Sequence, residues 1–93
     1  MPRVQIGSIL MTPIQSPEDV LYEVVAKEMN MPEATVRQAQ SLEELNIDSL
    51  EMIEIVMTLE DRLGITIDDR QLREVRSLPQ LLALIETSPK KAG

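Results

Sequence analysis

Apolar residues recur at spacings of three and four along three stretches of the chain. The first holds Val20, Leu21, Val24, Val25 and Met29, directly behind Ser16-Pro17-Glu18-Asp19. A serine before a proline and two acids is a helix start, with the serine as N-cap and the acids facing the positive dipole end. A helix from 17 to about 30 follows, and Pro32 stops it. A second helix is expected from Ser49 to Leu63, with Asp48 as N-cap and Gly64 just past its end. Ile65-Thr66-Ile67 reads as extended, and Asp68-Asp69 caps a short third helix reaching Val75. Ser77-Leu78-Pro79 opens the last helix, with Leu78, Leu81, Leu82 and Ile85 on one face. Residues 31–47 read as a long link carrying Val36, Leu42, Leu45 and Ile47 as core plugs, with a short turn at 41–45.

The expected fold is therefore all-α: a small four-helix bundle of three main helices plus one short third helix, with a long first loop. Residues 1–16 have no period and two prolines, so they read as an irregular N-terminal arm, within which Met11 is an alternative start. The helical domain spans 17–88, and 89–93 form a flexible tail.

The second helix departs from a simple amphipathic pattern. On a helical wheel Met52, Ile55, Val56, Leu59 and Leu63 share an arc of about 100°, the width of a core face. Leu50, Ile53 and Met57 make a narrower stripe roughly 130° away. A bundle this small cannot cover both, so one stripe is left for a partner.

Charge changes the picture further. The chain has 93 residues and a net charge of −7. Seven acids and no base lie between Ser41 and Asp61, while the other acids and bases cancel, so the whole excess sits in this stretch. Glu54 and Asp61 flank the Leu50 stripe on one side and Glu60 lies on the other, which suits a basic partner steered in by the field. The acidic balance argues against nucleic-acid binding. With no Cys and no His, disulfides, thiol nucleophiles, most zinc sites and imidazole catalysis fall away. One aromatic residue, Tyr22, cannot wall a deep catalytic pocket. No apolar run reaches the ~20 residues of a membrane span and no leader pattern is present, so a cytoplasmic protein is expected.

The head of the second helix reads Leu45-Asn46-Ile47-Asp48-Ser49-Leu50. This resembles the acyl carrier proteins, which carry 4′-phosphopantetheine on the serine of an Asp-Ser-Leu at the start of their second helix. The similarity runs from Pro17 through Ile85 and includes Leu59-Glu60-Asp61 and Ile65-x-Ile67. A bare Asp-Ser-Leu is weak; placed at the N-terminus of an acidic, doubly apolar helix it is specific. The resemblance implies that Ser49 receives the arm from coenzyme A through a phosphopantetheinyl transferase, with Asp48 and Leu50 as its motif neighbours. No His or nearby Lys could make Ser49 a nucleophile of its own. The resemblance further implies contacts through Leu50, Ile53, Glu54, Met57, Glu60 and Asp61 with acyl-transferring and ketosynthase-type enzymes that carry basic docking patches. An acyl-sequestering cavity would be lined by Ile55, Leu59 and Ile67. A monomer is the expected state of such a shuttle, and no enzyme activity of its own is expected.

The chain also departs from the family pattern. Asn46 stands where glycine is usual, and asparagine tolerates positive φ better than most residues. Leu63 stands where phenylalanine is common. Arg70, Arg73 and Arg76 bring positive charge to a region that is mostly acidic in housekeeping fatty-acid carriers, which opens fatty-acid, polyketide and specialised lipid synthesis alike. Peptidyl carriers share the fold, but the Gly-Gly pair common before their serine is absent here. Two other readings stand beside the carrier: an unmodified helical adaptor binding a basic protein through the acidic helix, and divalent-ion binding by the acid cluster, for which no EF-hand loop is present.

Overall fold

A computed structural model describes residues 16–91. The expected N-terminal arm and its Met11 lie almost wholly outside the described residues. Among the described residues five helices follow in order: α1 (Pro17–Met29), α2 (Glu33–Gln38), α3 (Ser49–Leu63), α4 (Asp69–Leu72) and α5 (Leu78–Thr87), with a 3₁₀ turn at Glu43–Leu45 between α2 and α3.

Helix α1 starts as its sequence dictates. The Ser16 hydroxyl accepts the Asp19 amide at 3.2 Å, and Pro17 takes the first helical position. Asn30 ends the helix in the left-handed region, at φ 56°, and its amide and that of Met31 cover the last carbonyls. The buried face of α1 (Leu21, Val24 and Val25 at its centre) packs chiefly on α3 and also meets α2 and α5. Across the α1–α3 seam Arg62 reaches Glu23 at 3.4 Å, and Lys27 holds the same carboxylate at 3.2 Å. These contacts keep the Glu23 carboxyl below its usual range, Lys27 foremost and Arg62 next.

The first connection is less open than the pattern of apolar residues suggests. Its middle forms α2, a helix with a single buried residue, Val36. One buried position in six residues carries no detectable period, so the helix is held by what it touches. Arg37 lies 4.4 Å from the centre of the Tyr22 ring and contacts Asp19, Glu33 and Glu18 at 3.4, 3.7 and 3.9 Å. The 3₁₀ turn falls within the expected turn, where Ser41 and Glu44 bond each other's backbone amides. Leu45 is buried and Leu42 and Ile47 pack against the core, as expected of core plugs.

Helix α4 is shorter than expected. Asp68 caps it by accepting the Arg70 amide at 2.7 Å, but the helix closes at Leu72, and i→i+3 bonds at Glu74 and Val75 tighten the chain beyond it. That tightening delivers Val75 to the core. In α5 the buried positions are Leu78, Leu81, Leu84 and Ile85; Leu82 is only half-buried, so the core face is rotated slightly from the expected one. The segment expected as tail is fastened as far as Lys91: Thr66 donates to Pro89 O and Lys91 to Gly64 O, both at 2.9 Å, around a bridge between Ile65 and Lys90. The architecture is all-helical, with no strand among the described residues beyond that bridge.

Candidate functional site

The site is built on the N-terminus of α3. Asp48 adopts an extended conformation and closes a capping box: its carboxylate accepts the Glu51 amide at 2.8 Å, and the Glu51 carboxylate accepts the Asp48 amide at 3.2 Å. Just before it Asn46 sits at φ 58°, the left-handed turn that glycine would otherwise supply. At the other end Gly64, at φ 64°, terminates the helix.

The capping box has a chemical consequence. It satisfies the amides of Asp48 and Glu51, while those of Ser49 and Leu50 meet no acceptor among the described residues. The Ser49 side chain is likewise exposed and unbonded, because Asp48 does the capping. A hydroxyl therefore stands beside two unused N–H donors at the positive end of a fifteen-residue helix. That arrangement accommodates a phosphate on the serine oxygen.

Ser49 opens onto a groove of about 920 Å³. One wall comes from the loop before α3 and from α3 itself: Leu42, Ile47, Met52 and Ile53, with Glu43 and Asp48. The other comes from α4 and the turn after it: Leu72 and Val75, with Asp69, Arg73 and Arg76. A backbone bond from Leu42 N–H to Arg76 O, 2.9 Å, joins the two walls. Ile55, Leu59 and Ile67, the residues expected to line an acyl-sequestering cavity, are buried in the core and do not line this groove.

Along α3 the two apolar stripes separate as the wheel requires. Ile55, Val56 and Leu59 are buried, and Met52 and Leu63 pack partly against the core. Leu50, Ile53 and Met57 are 65, 53 and 62 % exposed, and they are the large apolar side chains exposed among the described residues. The acids expected beside them fare differently. Glu54 and Asp61 are exposed. Glu60 is half-buried, and its carboxylate accepts the Ile67 amide at 2.9 Å, so it also ties α3 to the segment leading into α4. Glu54 faces Glu28 of α1, and this neighbour, foremost among the causes, raises the Glu28 carboxyl above its ordinary range. Among the described residues no three acidic side chains gather to hold a metal ion.

The α4 wall of the groove was not legible as part of the site. Its one sequence signal is the spacing of Arg70, Arg73 and Arg76, three residues apart in an otherwise acidic region.

An exposed serine thus stands at a helix head, at the mouth of a groove with an apolar floor and beside an acidic apolar strip. The model of the phosphopantetheine attachment site family matches residues 19–85. Curated relatives agree: an acyl carrier protein of Wolinella succinogenes is 32% identical over 75% of this chain and 93% of its own length. An acyl carrier protein homolog of Mycoplasma genitalium is 38% identical over 70% of this chain and 75% of its own. An acyl carrier protein of Thermosynechococcus vestitus is 33% identical over 67% and 78%. The chain belongs to the acyl carrier protein family, and its role is that of a carrier using 4′-phosphopantetheine.

Proposed function

We propose that Ser49 is the attachment residue and that the loaded chain presents acyl groups to a succession of enzymes. The observation that carries this reading is the division of labour at the head of α3. Asp48 caps the helix, leaving the Ser49 hydroxyl exposed at the mouth of the groove with two amides unbonded beside it.

In the loading step a phosphopantetheinyl transferase would supply the base that takes the hydroxyl proton. The Ser49 oxygen bonds to the phosphorus, the pyrophosphate P–O bond of coenzyme A breaks, and adenosine 3′,5′-bisphosphate leaves. The free amides of Ser49 and Leu50 then face the negative phosphodiester. Once attached, the arm supplies the thiol that a chain without cysteine lacks, and acyl groups ride on it as thioesters. Leu50, Ile53 and Met57 form the apolar contact for each partner, and Glu54, Glu60 and Asp61 the charge that brings basic docking patches to it. The chain itself performs no catalysis in this scheme and works as a monomer in the cytoplasm. Fatty-acid, polyketide and specialised lipid synthesis all use this chemistry.

Intact mass after incubation with coenzyme A and a broad-specificity transferase tests the assignment. The wild-type chain should gain one phosphopantetheine, and Ser49→Ala should fold with an unchanged helical spectrum and gain none. A gain retained by Ser49→Ala would move the site elsewhere. No gain by the wild type with several transferases would favour the unmodified adaptor.

A further inference from the structure

The groove beside Ser49 has a chemical asymmetry that an alkyl cargo does not need. Its floor is apolar, but its α4 wall includes two arginines, Arg73 and Arg76, both exposed like Arg70. Arg76 is anchored: its Nη1 donates to Arg73 O at 2.9 Å and to Val75 O at 3.3 Å. A guanidinium has five N–H donors, so Nε and Nη2 of Arg76 remain for another acceptor. The Arg73 side chain bonds to nothing among the described residues. The contrast with Arg37 and Arg62 is direct, since each of those has a carboxylate at 3.4 Å. The groove thus lies beside guanidinium donors that no carboxylate holds among the described residues.

The sign of charge narrows what could match them. Glu43, Asp48 and Asp69 line the same groove, so three carboxylates oppose two guanidinium groups. A formally anionic chain end would meet that net negative charge. A plain alkyl chain would strip water from the guanidinium N–H groups and return no acceptor. A neutral oxygen avoids both costs: it accepts the hydrogen bonds without adding a charge.

Resting on the reading of Ser49 as attachment residue, we infer that the groove selects acyl chains bearing neutral acceptor oxygens, carbonyl groups above all, beyond the thioester. Arg73 and Arg76 donate to those oxygens, and Leu42, Ile47, Leu72 and Val75 cover the intervening carbons. Arg70 is exposed but does not line the groove, and it serves as the internal control.

The test loads the full chain from three coenzyme A thioesters of matched length: hexanoyl, 5-oxohexanoyl and adipoyl. Thermal midpoints and NMR shifts of the Arg73 and Arg76 Nε–H groups are then compared, with the mass of each sample verified. The 5-oxohexanoyl form should melt about 4 to 8 °C above the hexanoyl form and shift both Nε–H signals. Arg73→Met, which breaks no bond in the fold, should remove at least half of that difference, and Arg70→Met none of it. Equal midpoints for the hexanoyl and 5-oxohexanoyl forms would overturn the inference. So would a larger, salt-sensitive gain with adipoyl, which would make the ligand an anion. Shifts already complete in the unacylated holo form would assign the arginines to the phosphodiester instead. Absence of any mass gain would overturn the Ser49 reading and this one with it, and is recognised before any melting is done.

Discussion

Seven acids between Ser41 and Asp61 look alike in sequence, yet at the scale of single residues they do different work. Asp48 and Glu51 exchange amide bonds at the head of α3, and Glu44 bonds backbone amides in the preceding turn. Glu60 accepts the part-buried Ile67 amide, whereas Asp61 beside it is exposed. Glu60→Ala should therefore cost about 1 to 3 kcal/mol in urea denaturation, because it leaves that amide without an acceptor. Glu60→Gln keeps an acceptor oxygen and should recover most of the loss while still removing the charge. If both variants slow partner docking equally, the charge of Glu60 matters; if only the alanine does, its role is to hold α3 to the segment before α4.

Between elements, the α1–α3 seam carries two electrostatic contacts of opposite sense. Glu23 is held below its ordinary range by Lys27 and Arg62, so it stabilises the fold above the unfolded carboxyl value and loses that contribution as pH falls through the lowered one. Glu28 is raised, first by Glu54. A raised carboxyl stabilises the fold when protonated, below its unfolded value, and loses that contribution as pH rises through the raised one. At neutral pH the Glu28–Glu54 pair is therefore a small liability. Glu28→Gln should raise the thermal midpoint at pH 7, and the gain should vanish as the buffer is taken below the carboxylate range. A gain that persisted in acid would mean that the glutamine improves packing instead.

At the scale of the whole molecule, the net charge of −7 is concentrated where the exposed apolar strip lies. The field of such a face extends about 10 Å in 0.1 M salt and about 3 Å at 1 M. Charge reversal at Glu54 and Asp61 together should slow transferase loading about tenfold at low ionic strength, without unfolding the chain. The difference should shrink towards nothing as salt rises. A slowing that ignores salt would show that the two acids act by direct contact and not by steering.

The sequence by itself determined the elements that are fixed locally. Ser16-Pro17, Asn30, Asp48 with Glu51, and Gly64 set where α1 and α3 begin and end, because caps and left-handed turns depend on residues within one helical turn of each other. The excess stripe of Leu50, Ile53 and Met57 was legible for the same reason, since helical spacing alone separates it from the core face. The family resemblance at Asp48-Ser49-Leu50 was equally local. Helix α2 was not legible, because its single buried residue gives no period and its stability comes from Arg37 lying against Tyr22, fifteen residues earlier. The groove was decided only by the tertiary structure. Its walls, residues 42–53 and 69–76, are distant in sequence and meet where Leu42 bonds Arg76. That meeting brought Arg73 and Arg76, a departure in a family pattern, into the groove beside Ser49. A contact between segments has no period and no cap, and packing alone brings the two together.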